Sequence, residues 1–171
     1  MVFININSKN YKEKNNKGKS PIDSLNHIIK NGPDTKVFIL YYMEGCGPCN
    51  ATRPEWSKLK HALKKLDKDS TIAIVDIDQA LSGDITDMPE PSSFPTMRYI
   101  SNNGKTIENY EDSDIETKDR TIDSFVDWVN SKTNSKKGGG PKRRHMSKRK
   151  SIRKRGRGRT CNRRTRIHKR K

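Results

Sequence analysis

Residues 41–56 read YYMEGCGPCNATRPEW. Two cysteines, Cys46 and Cys49, enclose Gly47 and Pro48 and stand directly behind the apolar run KVFILYY at 36–42. So short a run of apolar, β-branched and aromatic residues predicts a strand buried on both faces. Gly45 to Pro48 reads as a turn, and beyond it Trp56, Leu59, Leu63 and Leu66 recur at helical spacing. One helix is therefore predicted from about Cys46 to Leu66, kinked at Pro54, which has no amide donor. At such a helix start the free backbone amides and the positive end of the dipole stabilise a thiolate at Cys46. Cys49 falls on the same face one turn later, in reach of a mixed disulfide formed at Cys46. Pro48 suits the first turn, where its missing N–H has no partner to lose.

Outward from this stretch, the pattern alternates between strands and helices. Val2 to Ile6 alternates weakly and predicts a loose strand, followed by an Asn-, Lys- and Ser-rich loop to Ser20. Ile22, Leu25, Ile28 and Ile29 mark a short amphipathic helix from Pro21, stopped by NGPD at 31–34. TIAIVDID at 71–78 is a second buried strand. A polar region with Pro89, Pro91 and Pro95 follows, and then TMRYIS and KTIENY flank NNGK as a hairpin turning at Asn103 and Gly104. Ile122, Phe125, Val126 and Val129 close the pattern with an amphipathic helix. Strands separated by helices pair in parallel and the hairpin adds antiparallel strands, so the predicted fold class is α/β, a mixed central sheet with helices on both faces. The domain is expected over 20–132, preceded by an extension at 1–19 and followed by a tail at 133–171.

Close cysteine pairs serve redox chemistry, metal binding or mere packing. A zinc site needs about four ligands, and only Cys161 and four scattered histidines could complete one, so no metal and no cofactor is expected. Two inert core thiols remain as an alternative, although a buried structural cysteine does not need Gly and Pro beside it at a helix start. At this point the chain resembles the thioredoxin family, including the domains of protein disulfide isomerases. The resemblance rests on CGPC at 46–49, on Pro54 five residues after the second cysteine, and on FPT at 94–96 before the hairpin. It implies a thioredoxin-like three-layer fold and a thiol–disulfide oxidoreductase acting on protein disulfides or dithiols. Cys46 would be the nucleophile and Cys49 the resolving thiol, with Gly47 and Pro48 between them. Pro95 would be cis against the pair, with Phe94 and Thr96 holding an extended substrate.

Two departures from the family stand out. Gly45 replaces the usual tryptophan before the first cysteine, and Leu40 replaces a buried acid thought to assist the second. Water or Glu44 would then have to take the proton, and slower turnover or a narrower substrate range is expected, which a rate measurement would test.

Charge divides the chain. From Lys132 to the end there are 20 Lys and Arg and no acid, while residues 1–131 carry 17 basic against 20 acidic residues. Such a self-repelling, apolar-poor tail is expected to be disordered alone. After a Gly-Gly-Gly-Pro hinge, Lys142, Arg143, Arg144, Lys148, Arg149, Lys150, Arg153, Lys154 and Arg155 form its densest part. They suit a phosphate backbone, and the absence of aromatic residues from 138–171 argues for sequence-independent contact with nucleic acid or another polyanion. Anionic lipid heads and a solubilising tail are the alternatives. Ser147 and Ser151 are candidate phosphorylation sites, and Cys161 is a lone thiol. Neither a secretory leader nor a spanning apolar run is read, so an intracellular protein is expected, in cytoplasm or nucleus. The Asn-, Lys- and Ile-rich composition fits an AT-rich genome and extends that expectation to the virion of a large DNA virus. The second function considered is a nucleic-acid-binding protein that uses the folded domain only as a scaffold.

Overall fold

The computed structural model describes residues 1–14, 18–32, 34–64 and 71–133. Five strands form one sheet in the order β1-β3-β2-β4-β5, where β1 is Val2–Ile6, β2 Lys36–Tyr42, β3 Ile72–Asp78, β4 Thr96–Ser101 and β5 Thr106–Asn109. The strands β1, β3 and β2 run parallel, and β4 and β5 add antiparallel pairs, giving the mixed sheet expected from the sequence. The N-terminal residues set apart as an extension supply the edge strand: Val2 to Ile6 pair with Ala73 to Ile77.

Alternation along β2 and β3 sends successive side chains to opposite faces, and each face finds its own helices. Val37, Ile39, Tyr41, Val75 and Ile77 pack with Ile22, Leu25 and Ile29 of helix α1, Pro21–Asn31. On the other face, Phe38, Leu40, Ile72 and Ile74 meet Trp56 and Leu59 of α2, Gly47–Ala62, and Phe125, Trp128 and Val129 of α3, Ile122–Thr133. Because both faces are covered, β2 is buried from Val37 to Tyr42, which is why its sequence shows no polar alternation.

Local chemistry sets the boundaries. Ser20 caps α1 by accepting from the Asp23 amide at 3.1 Å, while Asp23 accepts from the Ser20 amide at 3.1 Å, a reciprocal capping box. The hairpin turns through Asn102 to Lys105, with Lys105 N donating to Asn102 O at 3.2 Å. Its central residues Asn103 and Gly104 have φ of 57° and 84°, the left-handed pair that a tight hairpin turn requires. Two sequence boundaries shift. Tyr110, expected at the end of β5, instead opens a 3-10 turn at Tyr110–Asp112, where its ring packs on Phe125 and Trp128. The second helix begins at Gly47 and runs through Pro54 to Ala62; Leu66, expected at its end, lies outside the described residues.

Candidate active site

The site forms where β2 ends and α2 begins. Gly45 takes φ of +76°, a backbone conformation that glycine adopts freely, and so turns the chain sharply out of the strand. Cys46 is then the N-cap: its backbone is extended, at φ −79° and ψ 117°, and its sulfur accepts from the Cys49 amide at 3.3 Å. Gly47 and Pro48 occupy the first turn, and Cys49 follows with its side chain buried. Both thiols are free, with Cys46 partly exposed and Cys49 enclosed. Attack from outside can therefore reach Cys46 but not Cys49.

The segment at 94–96 closes the site from the opposite side. The Phe94–Pro95 peptide is cis. Cys46 Sγ lies 3.8 Å from the Phe94 carbonyl, to which the thiol donates. Phe94 itself packs against the α1 side of the core, and Thr96 Oγ1 donates to Ser93 O at 2.6 Å. Cys46, Cys49, Phe94, Pro95 and Thr96, which are distant in sequence, are thus brought to one end of the sheet. Beside them a cleft of about 320 Å³ is lined by Ser93, Pro95, Thr96, Arg98, Glu111 and Arg120.

Burial pushes the Cys49 thiol up, and the hydrogen bond and charge of Cys46 push it further; a backbone hydrogen bond at Met43 and the positive charge of Arg120 oppose them. Arg120 was not singled out from the sequence. Its φ is +60°, and its neighbours are tied down: Asp119 accepts from Thr121 N at 3.1 Å and from Ser124 Oγ at 2.6 Å, and Glu55 of α2 accepts from Ile122 N at 3.2 Å. Its Nη2 donates to Glu111 at 2.9 Å. The signal in the sequence was a lone arginine in the acidic stretch ENYEDSDIETKDR at 108–120.

Asp76 was also passed over. It is an acid inside an apolar strand, and burial pushes its carboxyl up against the opposing influence of Asn5 and Arg53. Arg53 stacks its guanidinium on the Tyr42 ring at 3.7 Å. Glu44, by contrast, is exposed. Among the described residues, no group of three or more His, Cys, Asp or Glu is placed to hold a metal ion, and no helix is long and apolar enough to cross a membrane. Cys161, Ser147, Ser151 and the nine Lys and Arg from Lys142 to Arg155 lie outside the described residues.

With this geometry in view, the family model "Thioredoxin" matches residues 6–127. The chain belongs to the thioredoxin family. Similar thioredoxin-family proteins include a protein disulfide-isomerase of Ricinus communis, 28% identical over 90 residues, and one of Schizosaccharomyces pombe, 26% identical over 117. Those alignments take in 53% and 68% of this chain but only 18% and 30% of the relatives' lengths. Among solved structures, the J-Trx1 fragment of ERdj5 has a TM-score of 0.51 at 15% identity, with 76% of this chain and 51% of that one covered. Human ERp44 in its zinc-bound form also scores 0.51, at 14% identity, with 75% and 30% covered. At such identities the likeness establishes the thioredoxin fold alone.

Proposed function

We propose that this protein is a thiol–disulfide oxidoreductase acting on protein disulfides or dithiols, with Cys46 as nucleophile and Cys49 as resolving thiol. The observation that carries the reading is the placement of Cys46 at the N-cap of α2, partly exposed, with the Cys49 amide 3.3 Å from its sulfur. Backbone amides and the helix dipole there favour negative charge on the attacking sulfur. The Cys46 thiolate attacks a substrate disulfide, and the mixed disulfide is then displaced by Cys49, leaving Cys46–Cys49 oxidised and the substrate reduced. Run backwards, the same steps oxidise a substrate dithiol. The Phe94 carbonyl touches the nucleophile, and Phe94, Pro95 and Thr96 would hold the substrate backbone.

The tail adds a second component. Twenty basic residues without one acid from Lys132 onward support tethering of the enzyme to nucleic acid or another polyanion, and this charge would suit retention in a nucleus or a virion. In the competing reading the folded domain is a scaffold and the tail alone carries the function.

A redox titration of full-length protein carrying Cys161→Ser separates the two readings. After equilibration in glutathione buffers, free thiols are alkylated and counted by mass spectrometry. A reversible loss of two thiols is expected. A midpoint near about −270 mV would mark a reductant, and one at roughly −180 to −120 mV an oxidant or isomerase. Two free thiols at every poise would refute the oxidoreductase reading and leave the scaffold.

A further inference from the structure

Between α2 and the sheet lies a carboxylate that the reaction described so far does not use. Leu40 and Asp76 are register partners on β2 and β3. Both belong to the face turned toward α2: Leu40 packs with Trp56 and Leu59, and Ile72 and Ile74 of the same alternating set as Asp76 join that cluster. A cavity of about 440 Å³ opens here, lined by Asn5, Leu40, Asn50, Arg53, Trp56 and Asp76 among others. Asn50 directly follows Cys49, so the cavity reaches the residue next to the buried thiol. It has ample room for water, and its polar walls offer hydrogen-bond partners to it.

Cys49 must lose a proton before it can attack, yet its thiol is enclosed and has no direct access to solvent. We propose that Asp76 is the proton acceptor for Cys49 in the resolving step, reached through water in the cavity behind α2. The inference rests on the resolving role given to Cys49 above. In the step itself, the Cys49 S–H proton passes by way of water to the Asp76 carboxylate, and the thiolate attacks Cys46 Sγ. The Cys46–Cys49 bond forms as the bond from Cys46 to substrate breaks, and the departing sulfur leaves as a thiolate that takes a proton from solvent. The substrate gains two electrons and the cysteine pair loses two.

The surroundings of Asp76 suit this task. Asn5 of β1 donates to one carboxylate oxygen, Arg53 and Lys60 of α2 line cavities together with Asp76, and the Asp76 charge acts on Tyr42 of β2. Burial strengthens the carboxylate as a base, while the Asn5 hydrogen bond and the Arg53 charge oppose that rise. No acid stands at position 40, so Leu40 leaves the cavity to its register partner.

The test uses full-length Cys161→Ser protein and the chromogenic disulfide 5,5′-dithiobis(2-nitrobenzoate). Attack by Cys46 releases one coloured thiolate and resolution by Cys49 releases a second, so the two steps appear as successive phases. Asp76→Asn is expected to leave the first phase unchanged, which also reports an intact site, and to slow the second at pH 7 by about tenfold or more. The deficit should shrink as pH rises and Cys49 ionises unaided, and Asp76→Glu should restore much of the rate. An unchanged second phase in Asp76→Asn would overturn the assignment. A parent protein that shows no second phase would instead overturn the resolving role of Cys49 on which it rests.

Discussion

A carboxylate placed beneath α2 works against the fold that holds it. Burial raises the Asp76 carboxyl above its ordinary value of 3.8, so the folded state binds that proton more tightly than the unfolded chain does. The stabilisation from the protonated form is fully present below about pH 3.8 and is lost as pH rises through the folded value, where ionisation subtracts from stability. Asp76→Asn keeps the shape and an acceptor for Asn5 but removes the half-buried charge. It should therefore stabilise the protein at pH 7. Thermal unfolding followed by circular dichroism checks this: the melting temperature should rise at pH 7, and the difference should close below pH 3.8. A lower melting temperature at pH 7 would show that the Asn5 and Arg53 contacts outweigh desolvation. A gain in stability together with a slower second phase would place Asp76 among residues kept for chemistry.

The α3 helix shows how a distant element sets the site. It is held by Phe125, Trp128 and Val129, and Trp128 sits edge-on to Phe38 of β2 and to Tyr110, each with ring centroids at 5.1 Å. At its start Asp119 accepts from Thr121 N and Ser124 Oγ, and Glu55 of α2 accepts from Ile122 N, so the packing of α3 also holds the segment of Arg120, whose positive charge acts on Cys49. Trp128→Ala should cost about 3–5 kcal/mol, as is usual for removing a fully buried large aromatic side chain. Urea unfolding measures it, and a loss below about 1 kcal/mol would mean that the cluster closes over the gap. These relations also explain what the sequence could and could not reveal. KVFILYY and TIAIVDID were legible as strands because burial on both faces leaves a continuous apolar run. The cysteine pair was legible because Gly-Pro between two thiols at a strand–helix junction has a local chemical reason. Val2 to Ile6 read only weakly, since an edge strand has one neighbour and a mixed exposure. Asp76 was visible as an acid in an apolar strand, but only the register with Leu40 brings it under α2. Arg120 lines the cleft beside Pro95 and Thr96 only through the tertiary fold, which no periodicity encodes.

At the scale of the whole chain, charge and fold are segregated. The 131 residues before Lys132 carry 17 basic and 20 acidic side chains, a slight negative excess, while the 40 from Lys132 onward carry 20 basic and none acidic. A polyanion should therefore be recognised by the tail and repelled weakly by the body, and salt dependence tests that division. Each phosphate neutralised on duplex DNA contributes roughly −0.9 to the slope of log K against log salt. Replacing the nine Lys and Arg from Lys142 to Arg155 by Gln in the full chain should reduce the magnitude of that slope by up to about eight and weaken binding uniformly across sequences. Fluorescence anisotropy with two unrelated 20-base-pair duplexes at several salt concentrations provides the measurement. Cysteine chemistry serves as the internal control, because the same nine substitutions in the full-length Cys161→Ser chain should release both coloured thiolates from the chromogenic disulfide at the rates of its Cys161→Ser parent. Binding with an unchanged slope would move the polyanion site off these nine residues. Loss of the second phase would instead show that the tail's charge acts on the cysteine pair, and the separation of chemistry from tethering would fail.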